Sequence, residues 1–173
     1  MNKFNLIVST YRFREEEAQD EVLDLLQTFG DDEAESEITD IKGIIIAETT
    51  MDPVEVIAKL KALVVSDPWR LRYVLRVLPV DVVVPMDLES IREAVKTHCA
   101  KIGPEDTFRI TVEKRHNSIS SKDVIDIIAD QIPNKVDLEK PAWIILVEIL
   151  GAQTGISVIR PHEMFSSVIE KRK

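Results

Sequence analysis

Glycine, histidine and cysteine are all scarce in this chain of 173 residues, and each scarcity excludes a class of chemistry. The five glycines are Gly30, Gly43, Gly103, Gly151 and Gly155. Neither G-x-G-x-x-G nor G-x-x-x-x-G-K-[ST] can be built from that spacing, so the usual phosphate-cradling loops are absent. The histidines, His98, His116 and His162, lie far apart. They form no zinc-ligand pair and no Ser-His-Asp set. Cys99 is the single cysteine, so no internal disulfide is possible. No metal and no cofactor is expected. No run of 18 apolar residues occurs, so no transmembrane helix is expected. The start, Met1 to Thr10, is too short and too polar for a signal peptide, and a cytoplasmic location is the simplest expectation.

What is present is the composition of a folded protein, 45% apolar and 31% charged. A chain of this length buries roughly 70% of its unfolded surface and needs no covalent staple. The net charge of −9 speaks, as a bulk figure, against a nucleic-acid partner. The charge is unevenly placed, however. Residues 15–40 hold twelve acidic side chains and no Lys or Arg, and residues 1–66 account for the whole excess. Residues 67–173 balance 16 basic against 16 acidic groups and contain two basic stretches.

Hydrophobic spacing gives the organisation. Phe4, Leu6 and Val8 alternate with Asn5, Ile7 and Ser9, which predicts a half-buried strand over 3–11. Ala18, Val22, Leu25, Leu26 and Phe29 predict a helix over 15–29. A short strand near 37–41, a turn at Lys42-Gly43 and a returning strand over 44–49 follow. Asp52-Pro53 opens a helix to about Val65. Residues 69–78 alternate again and predict a strand. The order β-α-β-β-α-β in about 80 residues is that of a ferredoxin-like unit.

The second part starts after Pro79, or after Pro85 if 80–84 extends the edge strand. It reads as a helix from Asp87 with Cys99 in the core, a strand over 106–114 and a basic loop over 115–119. A helix from Ser120 follows, burying Val124, Ile125, Ile127, Ile128 and Ile132. Trp143 to Leu150 is apolar enough for a central strand. A turn, a strand over 156–160 and a short amphipathic helix within 162–173 complete it. The expected fold class is α+β, with domains at 1–80 and 81–173.

Two basic sets carry the candidate chemistry. Arg70, Arg72 and Arg76 share one face if 69–78 is a strand, with residues two apart spaced roughly 6.6 Å. That stripe either tracks phosphates, or pairs with the acidic helix or with solvent. The second set runs from Lys114 through Arg115, His116 and Asn117 to Ser121 and Lys122, where a strand ends and a helix begins. Unpaired amides at a helix start favour anions. Asp123 competes for the same end, and a solvated, well-capped helix start is the plainer reading. His98 and Cys99 are adjacent and point about 100° apart, which argues against a thiol–base pair. No site for covalent or acid–base catalysis emerges.

The second half resembles a THUMP domain, an RNA-binding module of tRNA-modifying enzymes. The resemblance is carried by Thr107 to Arg115, Val136 to Pro141, Trp143 to Ile149 and Thr154 to Ile159. The first half is similar to the ferredoxin-like domain that precedes THUMP, through Gly43-Ile44-Ile45, Asp52-Pro53 and Leu75 to Val80. A THUMP profile on this resemblance begins as early as about residue 53. Stand-alone chains of this size resemble the adaptor for N4-acetylcytidine formation in tRNA. That resemblance implies a non-catalytic protein that holds the tRNA acceptor stem and 3′ end for a separate RNA acetyltransferase. Matching positions are Arg76, Arg109, Lys114 and Arg115. His116, Asn117, Ser121, Lys122, Lys135 and Arg160 join them through charge and loop position. Lys140 departs from the family, which often has Asn before that proline. The alternative from another class is a small-molecule-binding regulatory ferredoxin-like module, although the loop Tyr11 to Arg14 lacks the glycine such sites often use. The oligomeric state stays open.

Overall fold

Two sheets organise the chain, each with its own helices and core. The computed structural model describes Met1 and residues 3–173. The fold class is α+β. One compact unit comprises Met1–Val80 with His162–Lys173, and the other comprises Asp81–Pro161.

The first unit follows the order β1 (Leu6–Ser9), α1 (Glu15–Thr28), β2 (Glu35–Ile38), β3 (Ile44–Glu48), α2 (Pro53–Ser66) and β4 (Arg76–Pro79). Its sheet is closed by β9 (Phe165–Ser166), in the order β2-β3-β1-β4-β9. All of its pairings are antiparallel. Leu6 and Val8 of β1 pack with Val22 and Leu26 of α1 and with Ile57 and Leu60 of α2. Asp52 caps α2 by accepting the Val54 amide at 2.9 Å. Gly43 makes the turn into β3 at φ 80°, where a Cβ would lie 2.9 Å from the Thr10 carbonyl oxygen.

Three expectations are corrected in this unit. The alternation in β1 suggested one wet face, yet Ile7 is 1% exposed. The strand expected over 69–78 is present only at 76–79, and Pro68–Arg70 form a 3-10 turn instead. The reason is Glu21 of α1. Its carboxylate accepts the amides of Arg72 at 2.9 Å, Tyr73 at 3.0 Å and Val74 at 2.7 Å, so successive amides converge on one acceptor rather than on a neighbouring strand. Lastly, residues 162–173, expected in the second domain, pack in the first unit. Phe165 is 1% exposed within the first core and pairs with Val77 of β4, and burying such a ring stabilises by about 1.5–3 kcal/mol. Only the four residues Ser167–Glu170 of this tail are helical, forming α5.

The second unit contains β5 (Val82–Pro85), α3 (Leu88–His98), β6 (Phe108–Arg115), α4 (Ser121–Ala129), β7 (Trp143–Leu150) and β8 (Gln153–Ile159). The sheet order is β5-β8-β7-β6. β6 and β7 are parallel and are linked through α4, while the other pairs are antiparallel. β7 is central and almost fully buried, as its apolar run predicts. Ile91, Val95, Phe108, Val124, Ile128 and Val147 share the core. Ile125 is 36% exposed, against expectation, because α4 turns its Val124–Ile128 stripe inward. Cys99 is half-buried against this core. Among the described residues no helix is long and apolar enough to cross a membrane, and no group of three or more His, Cys, Asp or Glu could hold a metal ion.

Candidate functional site

The carboxyl end of β6 is the best-built polar site in the second unit. β6 delivers Lys114 and Arg115 at its last two positions. His116 then adopts φ 56°, a left-handed turn that His tolerates better than most residues, and this stops the strand. Asn117 locks the bend. Its Nδ2 donates to the Gly151 carbonyl at 2.9 Å, and its Oδ1 accepts the Ile119 amide at 2.8 Å. Gly151 donates its own amide to the Arg115 carbonyl at 2.9 Å, so the β7–β8 turn braces the loop. Ser120 caps α4 by accepting the Asp123 amide at 3.3 Å.

The cations here differ in what their charge faces. Arg115 lies between Glu148 and Glu113, at 3.4 Å from each, and Glu148 is 1% exposed. Its charge is therefore spent within the fold. Lys114 donates to the Ile119 carbonyl at 2.7 Å. A neutral carbonyl leaves an ammonium's charge in place, and Lys114 is exposed. Lys122 reaches Asp126 one turn on at 2.7 Å, and its side chain is 82% exposed. That carboxylate raises the Lys122 pKa above the usual ammonium value. The pairing is a surface one, weak and screened by salt. Lys114 and Lys122 thus lie beside the start of α4, with exposed His116 on the same loop, an arrangement suited to holding an anion such as phosphate. Ser121, half-buried, is the first residue of that helix.

The remaining candidates lie elsewhere. Arg109, Lys135 and Arg160 sit toward the opposite end of this sheet. Arg109 donates to the Leu138 carbonyl at 3.0 Å and ties the 136–141 loop to β6. Arg160 stacks 3.8 Å from the centre of the Trp143 ring and donates to the Ala142 carbonyl at 3.2 Å. Trp143 in turn donates to Asp106 at 3.0 Å. That bond first, then the Gly103 amide and the Arg160 charge, hold the Asp106 carboxyl below its usual range. Lys135 is exposed beside the Phe108–Val136 bridge. Sequence reasoning did not link Asp106, Trp143 and Arg160, because no periodic spacing joins them.

In the first unit the arginine stripe is not formed. Arg70 sits in the 3-10 turn and donates to Asp24 at 3.3 Å and Thr28 at 3.0 Å, the pairing with the acidic helix that was the plainer alternative. Arg72 is exposed, its guanidinium 5.7 Å from the Tyr73 ring. Arg76 alone is in a strand, opposite Ser9 and Ser166.

Comparison with known proteins bears on this second unit. The THUMP domain family profile matches residues 85–159. Residues 85–159 are thus similar to a THUMP domain. Human THUMP domain-containing protein 1 is 30% identical over 103 residues, which covers 54% of this chain and 29% of that protein, and the mouse protein matches equally. The match thus spans under a third of the curated relatives' length.

Solved structures extend the likeness to the fold of nearly the whole chain. PH1313 of Pyrococcus horikoshii has a TM-score of 0.63 at 17% identity, covering 91% of this chain and 55% of its own. A 4-thiouridine synthetase crystallised as an RNA complex with bound ATP has a TM-score of 0.59 at 13% identity, covering 91% of this chain and 42% of its own. TrmN of Thermus thermophilus has a TM-score of 0.56 at 15% identity, covering 92% of this chain and 47% of its own. At these identities the likeness is one of fold. The β6–α4 loop lies inside the stretch that matches the THUMP domain profile.

Proposed function

We propose that the chain is a tRNA-binding protein whose THUMP domain grips the phosphate backbone at the carboxyl end of β6. The observation that carries this reading is the exposed Lys114–Lys122 segment, where Lys114 and Lys122 lie beside a helix start and exposed His116 shares the loop, within the stretch that matches a THUMP domain. The RNA complex of the fold relative supports it, as does the pattern of one exposed, uncompensated cation beside weakly paired ones. Backbone contacts of this kind are insensitive to sequence and weaken with salt.

The finer reading is a cytoplasmic, non-catalytic adaptor that presents the acceptor stem and 3′ end of tRNA to a separate RNA acetyltransferase for N4-acetylcytidine formation. It rests on the resemblance of the chain's second half to the THUMP module and of its first half to the ferredoxin-like domain that precedes it. Reconstitution tests it. tRNA, acetyl-CoA and this protein alone are expected to give no N4-acetylcytidine by nucleoside mass spectrometry. Adding an RNA acetyltransferase is expected to give product, with at least tenfold less when this protein is left out or carries Lys114→Ala with Lys122→Ala. Product from this protein alone, or equal product without it, contradicts the adaptor reading.

A further inference from the structure

The first unit holds an exposed groove that the THUMP-domain reading does not use. α2 ends at Ser66, and the 3-10 turn Pro68–Arg70 throws Trp69 outward, where it is 68% exposed, while Val65 is 86% exposed. Together with Pro68 they line one side of an open groove of about 650 Å³. An indole this exposed on a monomeric surface is uncommon, since large apolar side chains gain by leaving water.

The rest of the lining is cationic. Lys61, Lys171 and Lys173 face a single carboxylate, Glu170. Lys61 lies 4.0 Å and Lys173 2.7 Å from Glu170, whose side chain is only 10% exposed. Lys171 donates to the Leu71 carbonyl at 2.6 Å and Lys61 to the His162 carbonyl at 2.5 Å. Carbonyls fix the position of an ammonium without cancelling its charge. Three ammoniums against one carboxylate leave the groove positive, beside a flat aromatic face and a small apolar floor.

We propose that this groove binds a single-stranded RNA segment, with one base stacked on Trp69 and flanking phosphates on Lys61, Lys171 and Lys173. The proposal rests on the RNA reading above and extends it to the first unit. Aromatic faces accept any base, and lysine ammoniums hold phosphates without reading bases, so the recognition is sequence-tolerant. An acidic peptide shares the charge but gains less from a single exposed indole, because it lacks a planar ring at each charged step.

The test uses the full chain and an unstructured octanucleotide of adenosine or uridine, followed by indole fluorescence and anisotropy. Trp143, stacked under Arg160, supplies a constant background. The octanucleotide is expected to quench emission, and Trp69→Phe is expected to abolish the quenching while keeping affinity within about twofold. Trp69→Ala is expected to weaken binding at least about fivefold, the lower end of one lost base stack. Lys171→Ala with Lys173→Ala is expected to reduce both affinity and its salt dependence. Absence of oligonucleotide binding, no quenching at saturation, or wild-type affinity in Trp69→Ala overturns the proposal. Poly-glutamate of equal charge binding as tightly, with the same loss in Trp69→Ala, overturns it in favour of an acidic protein partner. If tRNA still binds through Lys114 while Trp69 stays silent, only this groove is lost. If neither RNA binds, the RNA reading fails as a whole.

Discussion

Lys114 and Arg115 are neighbours in the chain and do different work. Side chains on a strand alternate, so Lys114 points to the α4 side and Arg115 to the face that carries Glu113 and Glu148. Replacing Arg115 with Ala strips a nearly buried carboxylate of a charged partner. We expect a loss of about 1–3 kcal/mol, a fall in melting temperature of several degrees. Lys114→Ala, at an exposed site, is expected to change stability by no more than about 0.5 kcal/mol while weakening RNA binding. Thermal melts of the two variants check this. A stable Arg115→Ala would mean that the ion pairs are idle. Both residues look alike in the sequence as parts of one basic stretch. Their separation depends on Glu148, which lies 33 positions away from Arg115 and was hidden in an apolar run.

At the scale of elements, the sequence was clearest where one periodicity ran unbroken. The helices α1 and α2, the central β7 and the cap at Ser120 were all legible from spacing and capping residues. It was least clear over 69–78, where alternation of Leu71, Tyr73 and Leu75 with arginines mimics a strand. The backbone there is claimed by Glu21, about fifty positions away, and no local pattern encodes that. Glu21→Ala leaves three amides without their acceptor and is expected to cost about 1.5–3 kcal/mol, with Glu21→Gln losing less because one acceptor oxygen remains. Denaturant melts of both variants test the ordering. If Glu21→Ala melts like the parent, the segment is held by packing alone.

For the whole molecule, the net charge of −9 is a poor guide to partners. The excess acidity is concentrated in α1 and the segment after it, and part of it is consumed internally. Glu21 holds three amides, Asp24 meets Arg70, and Asp31 bridges Thr49, Thr50 and Glu33. Burial raises the Asp31 pKa, yet those hydrogen bonds outweigh it and leave the carboxyl below its ordinary value. The second unit has its own charge pattern, with exposed Lys114 and Lys122 near the carboxyl end of β6 and exposed Lys135 toward the opposite end of the sheet. The site's chemistry was legible as a basic loop beside a capped helix. Which cations keep their charge for a ligand was not, because that depends on partners brought together only by folding. The central claim is that tRNA binds this loop electrostatically. The direct measurement is tRNA affinity from 50 to 300 mM salt for the parent and for Lys114→Ala with Lys122→Ala. Log Kd is expected to rise linearly with log salt, and the double variant is expected to bind all tRNAs more weakly with a slope lower by about 1–2. An affinity independent of salt, or a double variant with the parent's slope and Kd, would contradict it.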